Sequence, residues 1–172
     1  MMKKVLMVIA PKDFRDEEFE EPYTILKEHN VAVTVASTTP QPAKGMLGLI
    51  VKPDKALKDV NMKNYDALVF VGGSGAKTYF DDATCHTLAK TASEQKKLVS
   101  AICIAPSILA NAGLLKDKTV TCWESEAQNM KSKGAHYTGK PVEEDGLTIT
   151  GVGPQAAKEF GEAILRNLTK HR

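Results

Sequence analysis

A doubly wound α/β fold, a mainly parallel sheet covered by helices on both faces, is the class this sequence predicts. Three observations carry that expectation. Short apolar runs alternate with longer helical segments along the chain. The runs at residues 5–10, 67–71 and 98–102 lack the polar alternation of a half-exposed strand, as strands buried on both faces do. No linker-like stretch and no internal repeat divides the 172 residues, so one domain spanning 1–172 is expected.

The elements follow in order. Residues 5–10 (Val-Leu-Met-Val-Ile-Ala) read as the first buried strand, and 23–30 as a helix with Pro22 at its start, where a missing N–H is harmless. Residues 31–37 are β-branched and strand-like. The stretch 38–54 holds three prolines and two glycines and reads as a loop with a small hairpin around 48–51. A strand at 67–71 is followed by a helix over 81–97, with Asp81-Asp82 at its N-terminal side. A strand at 98–102 leads into a helix over 106–112 that Gly113 ends. Residues 119–122 form a strand and 125–133 a helix stopped at Gly134; 135–138 and 147–151 are short strands joined by the polar stretch 139–146. A helix over 155–168 closes the chain, and His171 falls in a terminal tail.

Composition excludes several classes. A hydrophobic content of 42% is too high for disorder, and 12 Gly with 8 Pro is too little for a collagen-like or low-complexity chain. With 23 basic and 21 acidic residues the net charge is +2, and Lys and Arg are scattered rather than striped, so neither nucleic acid nor a membrane surface is an expected partner. Three well-separated cysteines, Cys85, Cys103 and Cys122, do not make a disulfide framework and point to a reducing, cytoplasmic setting. Residues 1–4 are positive and 5–10 apolar, but the run is shorter than a signal-peptide core and Pro11-Lys12-Asp13 follows it; no stretch is long enough to span a membrane.

In open parallel sheets, ligands bind outside the carboxyl ends of the strands. The segments expected there are 11–21, 72–76, 103–106 and 123–126. The strongest of them is Ala101-Ile102-Cys103-Ile104-Ala105-Pro106, a strand ending at a cysteine with a helix directly after it. That arrangement resembles a nucleophile elbow, whose crowded turn needs small residues two before and two after the nucleophile; Ala101 and Ala105 supply them. The helix N-terminus is expected to lower the Cys103 pKa and favour the thiolate. The bland alternative is a small buried thiol.

Gly72-Gly73-Ser74-Gly75-Ala76-Lys77-Thr78 follows a buried strand, but the glycine spacing of a phosphate-binding P-loop is missing: those positions are Val71 and Ala76. A turn aiming backbone N–H groups at an oxyanion suits it better. The acidic segment 13–21 complements a helix N-terminus, and periodicity does not choose which of its carboxylates would work beside a thiol. Cys85-His86, His29, His136 and Cys122 lack metal-ligand spacing, so neither metal nor cofactor is expected. Cys85 defaults to packing, while Cys122 lies close to the active edge.

Taken together these motifs resemble the PfpI/DJ-one superfamily, which contains PfpI-type intracellular peptidases and the Parkinson-disease protein deglycase. The resemblance rests on the opening Lys4-Val5-Leu6-Met7-Val8-Ile9-Ala10, Asp16-Glu17-Glu18 with Pro22, Val71-Gly72-Gly73 and the Cys103 elbow. It extends to Gly134-Ala135-His136-Tyr137, Glu144-Asp145-Gly146-Leu147 and Gly153-Pro154. It implies a flavodoxin-like sandwich and a homodimer or higher homo-oligomer. It also implies Cys103 as nucleophile with Glu18 as its hydrogen-bonding glutamate, Gly73 and Ile104 as N–H donors of the oxyanion hole, and Gly72, Trp123 and Glu124 around the pocket.

Two departures shape the function. The peptidase branch carries His directly after the cysteine, where this chain has Ile104; the deglycase has a histidine where this chain reads Cys122-Trp123-Glu124. Without that base, peptide hydrolysis loses proton transfers worth roughly 10²–10⁴-fold. The expected partner is a small carbonyl compound, in a glyoxalase or deglycase type of reaction at Cys103–Glu18. The alternative partner is an oxidant, with Cys103 as a sensor taken to the sulfinic acid. A third reading is a dimeric interaction module whose cysteine is vestigial. Ile104 and Trp123 suggest a narrow, apolar pocket mouth.

Overall fold

The computed structural model describes residues 2–170. Residue 1 of the positive N-terminal segment and His171 of the expected tail lie outside them. The chain begins with β1 (Lys4–Val8), buried from Val5 onward, then β2 (Lys12–Phe14) and α1 (Asp16–Glu28). β3 (Ala32–Ser37) follows, then the hairpin of β4 (Ala43–Gly45) and β5 (Ile50–Val51), and the short β6 (Lys55–Ala56). β7 (Ala67–Phe70) is wholly buried. α2 (Ala83–Glu94) is N-capped by Asp82, whose carboxylate accepts from the Cys85 N–H at 2.9 Å. β8 (Leu98–Ile102) leads through the elbow into α3 (Pro106–Asn111), with Pro106 in its first turn. Then come β9 (Thr119–Val120), α4 (Ala127–Ser132), β10 (His136–Tyr137), β11 (Val142–Asp145), β12 (Thr148–Gly151) and α5 (Ala157–Lys170).

The main sheet runs β11-β12-β8-β7-β1-β3-β6, parallel throughout except for the antiparallel β11–β12 pair. The five parallel strands from β3 to β12 stand in the flavodoxin order 2-1-3-4-5, with the switch point between β1 and β7. α1 and α5 pack on each other and on the sheet, and α2 and α3 form a second helical layer against β7 and β8. Val5, Leu6, Met7, Leu68, Val69, Phe70 and Ile102 are at most 1% exposed, which is why their segments read as uninterrupted apolar runs. β9 and β10 pair as a separate two-stranded sheet, and β2, β4 and β5 form a third.

Three expectations are corrected. The first helix starts at Asp16, not after Pro22, and runs through that proline. The acidic first turn Asp16-Glu17-Glu18 suits the positive helix end, and the buried Pro22 gives up one intrahelical bond. The polar stretch 139–146 contains β11, whose Glu143, Glu144 and Asp145 hide a strand behind charge suited to a sheet edge. The helix placed at 125–133 opens as a 3₁₀ turn at Glu124–Glu126 and becomes α-helical only at Ala127.

Candidate active site

Everything at the site depends on where two strands end. β8 ends at Ile102, and Cys103 takes a φ of +66°, the left-handed region that a side-chain-bearing residue enters at a cost. That conformation survives because the turn is tied on both sides. The Cys103 N–H donates to the Gly151 carbonyl of β12 at 2.9 Å, and the Cys103 carbonyl accepts from the Trp123 N–H at 2.8 Å. Ala101 and Ala105 flank it fully buried. The expected elbow is therefore present.

β7 ends one strand over, beside the switch point. Gly72 lies there between the acid and the thiol: a Cβ on it would collide with Glu18 Oε1 and stand 2.6 Å from both Cys103 Cβ and the Ile102 carbonyl oxygen. Gly73 has a φ of +102° and leaves no room for a side chain against residues 13–15. The Arg15 N–H donates to the Gly72 carbonyl at 2.9 Å, binding this turn to the start of α1. The N–H groups of Gly73 and Ile104 both act on the Cys103 sulfur.

Glu18, in the first turn of α1, is fully buried against the thiol. Burial pushes its carboxyl up to about 8, against the lowering influence of the Cys103 thiol, the Arg15 guanidinium and the Gly72 N–H. Neither of its oxygens has a partner in good hydrogen-bond geometry among the described residues. Burial first, then the charge of Glu18, pushes the Cys103 thiol up to about 12, while the N–H groups of Gly73 and Ile104 pull it down. This corrects the expected lowering: the short α3 and the two N–H donors are outweighed by desolvation and by the neighbouring acid. Thiol and carboxyl titrate as one pair, because two adjacent buried charges of the same sign exclude each other.

A cavity of about 280 Å³ opens over the sulfur. Gly73, Ser74 and Lys77 line it from the turn after β7, and Cys103 and Ile104 from the elbow. Arg15 and Met46 line one further part, and Trp123, Ser125 and Pro154 another. Trp123 lies across Gly153, where a Cβ would come within 2.7 Å of the indole. The Met46 N–H donates to the Phe14 carbonyl at 2.8 Å, and the turn that follows is held by Asp16, whose carboxylate accepts the N–H groups of Leu47 and Leu49, each at 2.8 Å.

Five expected residues, Cys103, Gly73, Ile104, Glu18 and Trp123, thus converge, Glu18 from behind the sulfur. Two pocket assignments are corrected. Gly72 is buried beneath the cavity as the spacer between acid and thiol. Glu124 opens the 3₁₀ turn and is exposed, while its neighbour Ser125 lines the wall. Cys122 is fully buried and outside the wall; burial and the charge of Glu126 push its thiol up to about 12. His29 and His86 bond to backbone carbonyls, His136 is exposed, and none of the three lines the cavity. Among the described residues no cluster of three or more His, Cys, Asp or Glu side chains could hold a metal ion. No described helix is long and apolar enough to cross a membrane. Sequence reasoning places Arg15, Ser74 and Ser125 only within segments expected at the ligand-binding edge and Pro154 only within the Gly153-Pro154 motif; Lys77 is signalled by the failed P-loop match alone, and Met46 by nothing.

A cysteine on a strand-to-helix elbow, backed by a buried glutamate at the switch point of a 2-1-3-4-5 sheet, defines an elbow-cysteine protein of the flavodoxin-like class. The chain belongs to the DJ-1/PfpI family, whose profile matches residues 3–167. It is 43% identical to the uncharacterized protein MJ0967 of Methanocaldococcus jannaschii, covering 98% of this chain and 83% of that one. It is 30% identical to the glutathione-independent glyoxalase DJR-1.2 of Caenorhabditis elegans, covering 96% and 89%. The crystal structure of a ThiJ/PfpI domain protein from Brachyspira murdochii superposes with a TM-score of 0.97 at 30% identity, over 99% of both chains. Among further relatives, one from Pyrococcus abyssi is named a deglycase and one from Bacillus subtilis bears a cysteine-protease name.

Proposed function

We propose that this protein converts small α-oxoaldehydes such as methylglyoxal to α-hydroxy acids, a glyoxalase or deglycase type of chemistry carried by Cys103 and Glu18. One observation carries the reading: a thiol held in a left-handed elbow is faced by a fully buried, proton-retaining carboxyl and by the N–H groups of Gly73 and Ile104. The names of the glyoxalase and deglycase relatives point the same way.

In the proposed sequence the sulfur attacks the aldehyde carbon, and a C–S bond forms as the carbonyl π bond breaks. The pair reacts with one proton between its two groups, a thiolate beside a carboxylic acid; the developing oxyanion is held by the N–H groups of Gly73 and Ile104 and takes up the Glu18 proton, leaving a hemithioacetal and a Glu18 carboxylate. Glu18 removes the proton from that carbon and returns it to the neighbouring carbonyl carbon, through an enediol, giving a thioester beside a hydroxyl. Water cleaves the thioester and restores the thiol. The sum is oxoaldehyde plus water to hydroxy acid, with no external oxidant or reductant.

Methylglyoxal supplied in D₂O tests this: lactate should form with protium at C2, carried over from C1 by the buried Glu18, and Cys103→Ala should form none. Equal lactate from wild type and Cys103→Ala overturns the proposal. Peptide hydrolysis fits less well, because Ile104 follows the cysteine and no described histidine lines the cavity. A second reading, a peroxide sensor, is favoured by Glu18 having two unpartnered oxygens and a retained proton with which to bond a Cys103 sulfinate. Mild peroxide modifying Cys85 or Cys122 before Cys103 would end it. The three free, buried thiols suit a reducing cytoplasm. The homo-oligomer that the family resemblance implies forms part of the same proposal, and sedimentation measures it.

A further inference from the structure

The turn that fails as a P-loop still carries a lysine to the site. Residues 74–79 fold as a 3₁₀ helix, in which residues three apart share a face. Ser74 and Lys77 are so related, and both line the cavity over Cys103. At about 2.0 Å rise per residue, Lys77 stands about 6 Å along the turn from Ser74, whose neighbour Gly73 provides one of the two N–H groups at the sulfur. Its charge is uncompensated: the Lys77 side chain makes no hydrogen bond or ion pair among the described residues. The other cation of the wall, Arg15, is already engaged by Glu17 through Nε at 2.8 Å and Nη2 at 3.1 Å. No carboxylate lines the cavity, and Met46, Ile104, Trp123 and Pro154 supply apolar surface. A sphere of the cavity's volume is about 8 Å across, so a charge anywhere inside lies within about one Debye length of Lys77 at physiological salt.

We infer that the preferred substrate is an α-oxoaldehyde whose far end carries an anion, a carboxylate or a phosphate, and that Lys77 selects it. The inference rests on the reading of Cys103 as the nucleophile toward α-oxoaldehydes. The aldehyde oxygen lies against the N–H groups of Gly73 and Ile104, the anion lies one 3₁₀ turn away at Lys77, and a short carbon chain between them crosses the apolar wall. A preference of about tenfold in kcat/KM is expected, the size of one charge-assisted hydrogen bond.

The test compares 4,5-dioxopentanoate with its uncharged counterpart 2-oxopentanal, and 3-phosphonooxy-2-oxopropanal with methylglyoxal. The pair with the larger anion-to-neutral ratio tells carboxylate from phosphate. In the wild type the ratio should be about ten. It should fall toward one in Lys77→Met, invert in Lys77→Glu and persist in Lys77→Arg. A wild-type ratio near one, or a ratio that Lys77→Glu does not move, overturns the inference. If no oxoaldehyde is turned over, the proposed reaction fails, and anion selection is read separately from alkylation of Cys103. Iodoacetate should then outpace iodoacetamide relative to free cysteine, and that advantage should vanish in Lys77→Glu. Parity with free cysteine overturns the inference on this arm.

Discussion

Cys103 and Cys85 share their most visible traits and differ in the one that matters for chemistry. Both are buried, both lie beside an acid, and burial pushes both thiols well above the usual range. Cys85 sits in the first turn of α2, its own N–H given to the Asp82 cap at 2.9 Å, and the acid beside it only raises the thiol further. Cys103 adopts a φ of +66°, the N–H groups of Gly73 and Ile104 act on its sulfur, and it is 8% exposed where Cys85 is 0%. A carboxyl next to a thiol is therefore not a site in itself. The site arises from backbone that supplies positive potential where the acid supplies a proton.

The sharpest break of that comparison is in activity. Cys103→Ala should lower oxoaldehyde turnover by roughly 10³-fold or more, whereas Cys85→Ala should stay within about twofold of wild type. Equal losses would mean that the elbow gives Cys103 no privilege. Next in size is Glu18→Gln, which should lower kcat by roughly 10²–10⁴-fold, the worth of a positioned proton carrier. The same substitution has a second, pH-dependent readout. Below pH 4.5 the carboxyl is protonated whether the chain is folded or not; between 4.5 and about 8 only the folded chain keeps the proton, so the wild type loses stability as pH rises. Glutamine carries no such proton. The stability of Glu18→Gln relative to wild type should thus rise by a few kcal/mol from pH 5 to pH 8.5, read from urea midpoints. A flat difference would show that Glu18 is not held protonated.

Smaller effects sharpen the geometry. Gly72→Ala places a methyl between acid and thiol and should cost about 1–3 kcal/mol of stability together with much of the activity. Asp16→Asn should cost about 1 kcal/mol by weakening the bonds to Leu47 and Leu49, and it should raise KM more than it lowers kcat, since Met46 is wall and not chemistry.

Much of the sheet and its reactive edge is legible in the chain. The runs at 67–71 and 98–102 announce strands buried on both faces, and the small residues around Cys103 announce the elbow that ends the second of them. Glu18 is legible only through resemblance, because its neighbours Asp16, Glu17, Glu20 and Glu21 look the same in one dimension; burial against the thiol distinguishes it, the other buried acid, Asp16, being spent on Leu47 and Leu49. The β11 strand is hidden by its charge, and Pro22 hides the true start of α1. Arg15, Met46, Lys77 and Pro154 come from four separate turns whose meeting over one sulfur is a property of the sheet edge. No local pattern could gather them.

The two hydrogen bonds of the Cys103 peptide, to Gly151 on one side and from Trp123 on the other, carry a kinetic consequence. The elbow cannot relax its left-handed turn by a local excursion, because that motion would pull on β12 and on the chain leading to α4 at once. Amide hydrogen exchange at Cys103 and Trp123 should therefore be among the slowest in the molecule and track global opening rather than loop motion. The reactive residue is then as long-lived in its shape as the sheet that bears it.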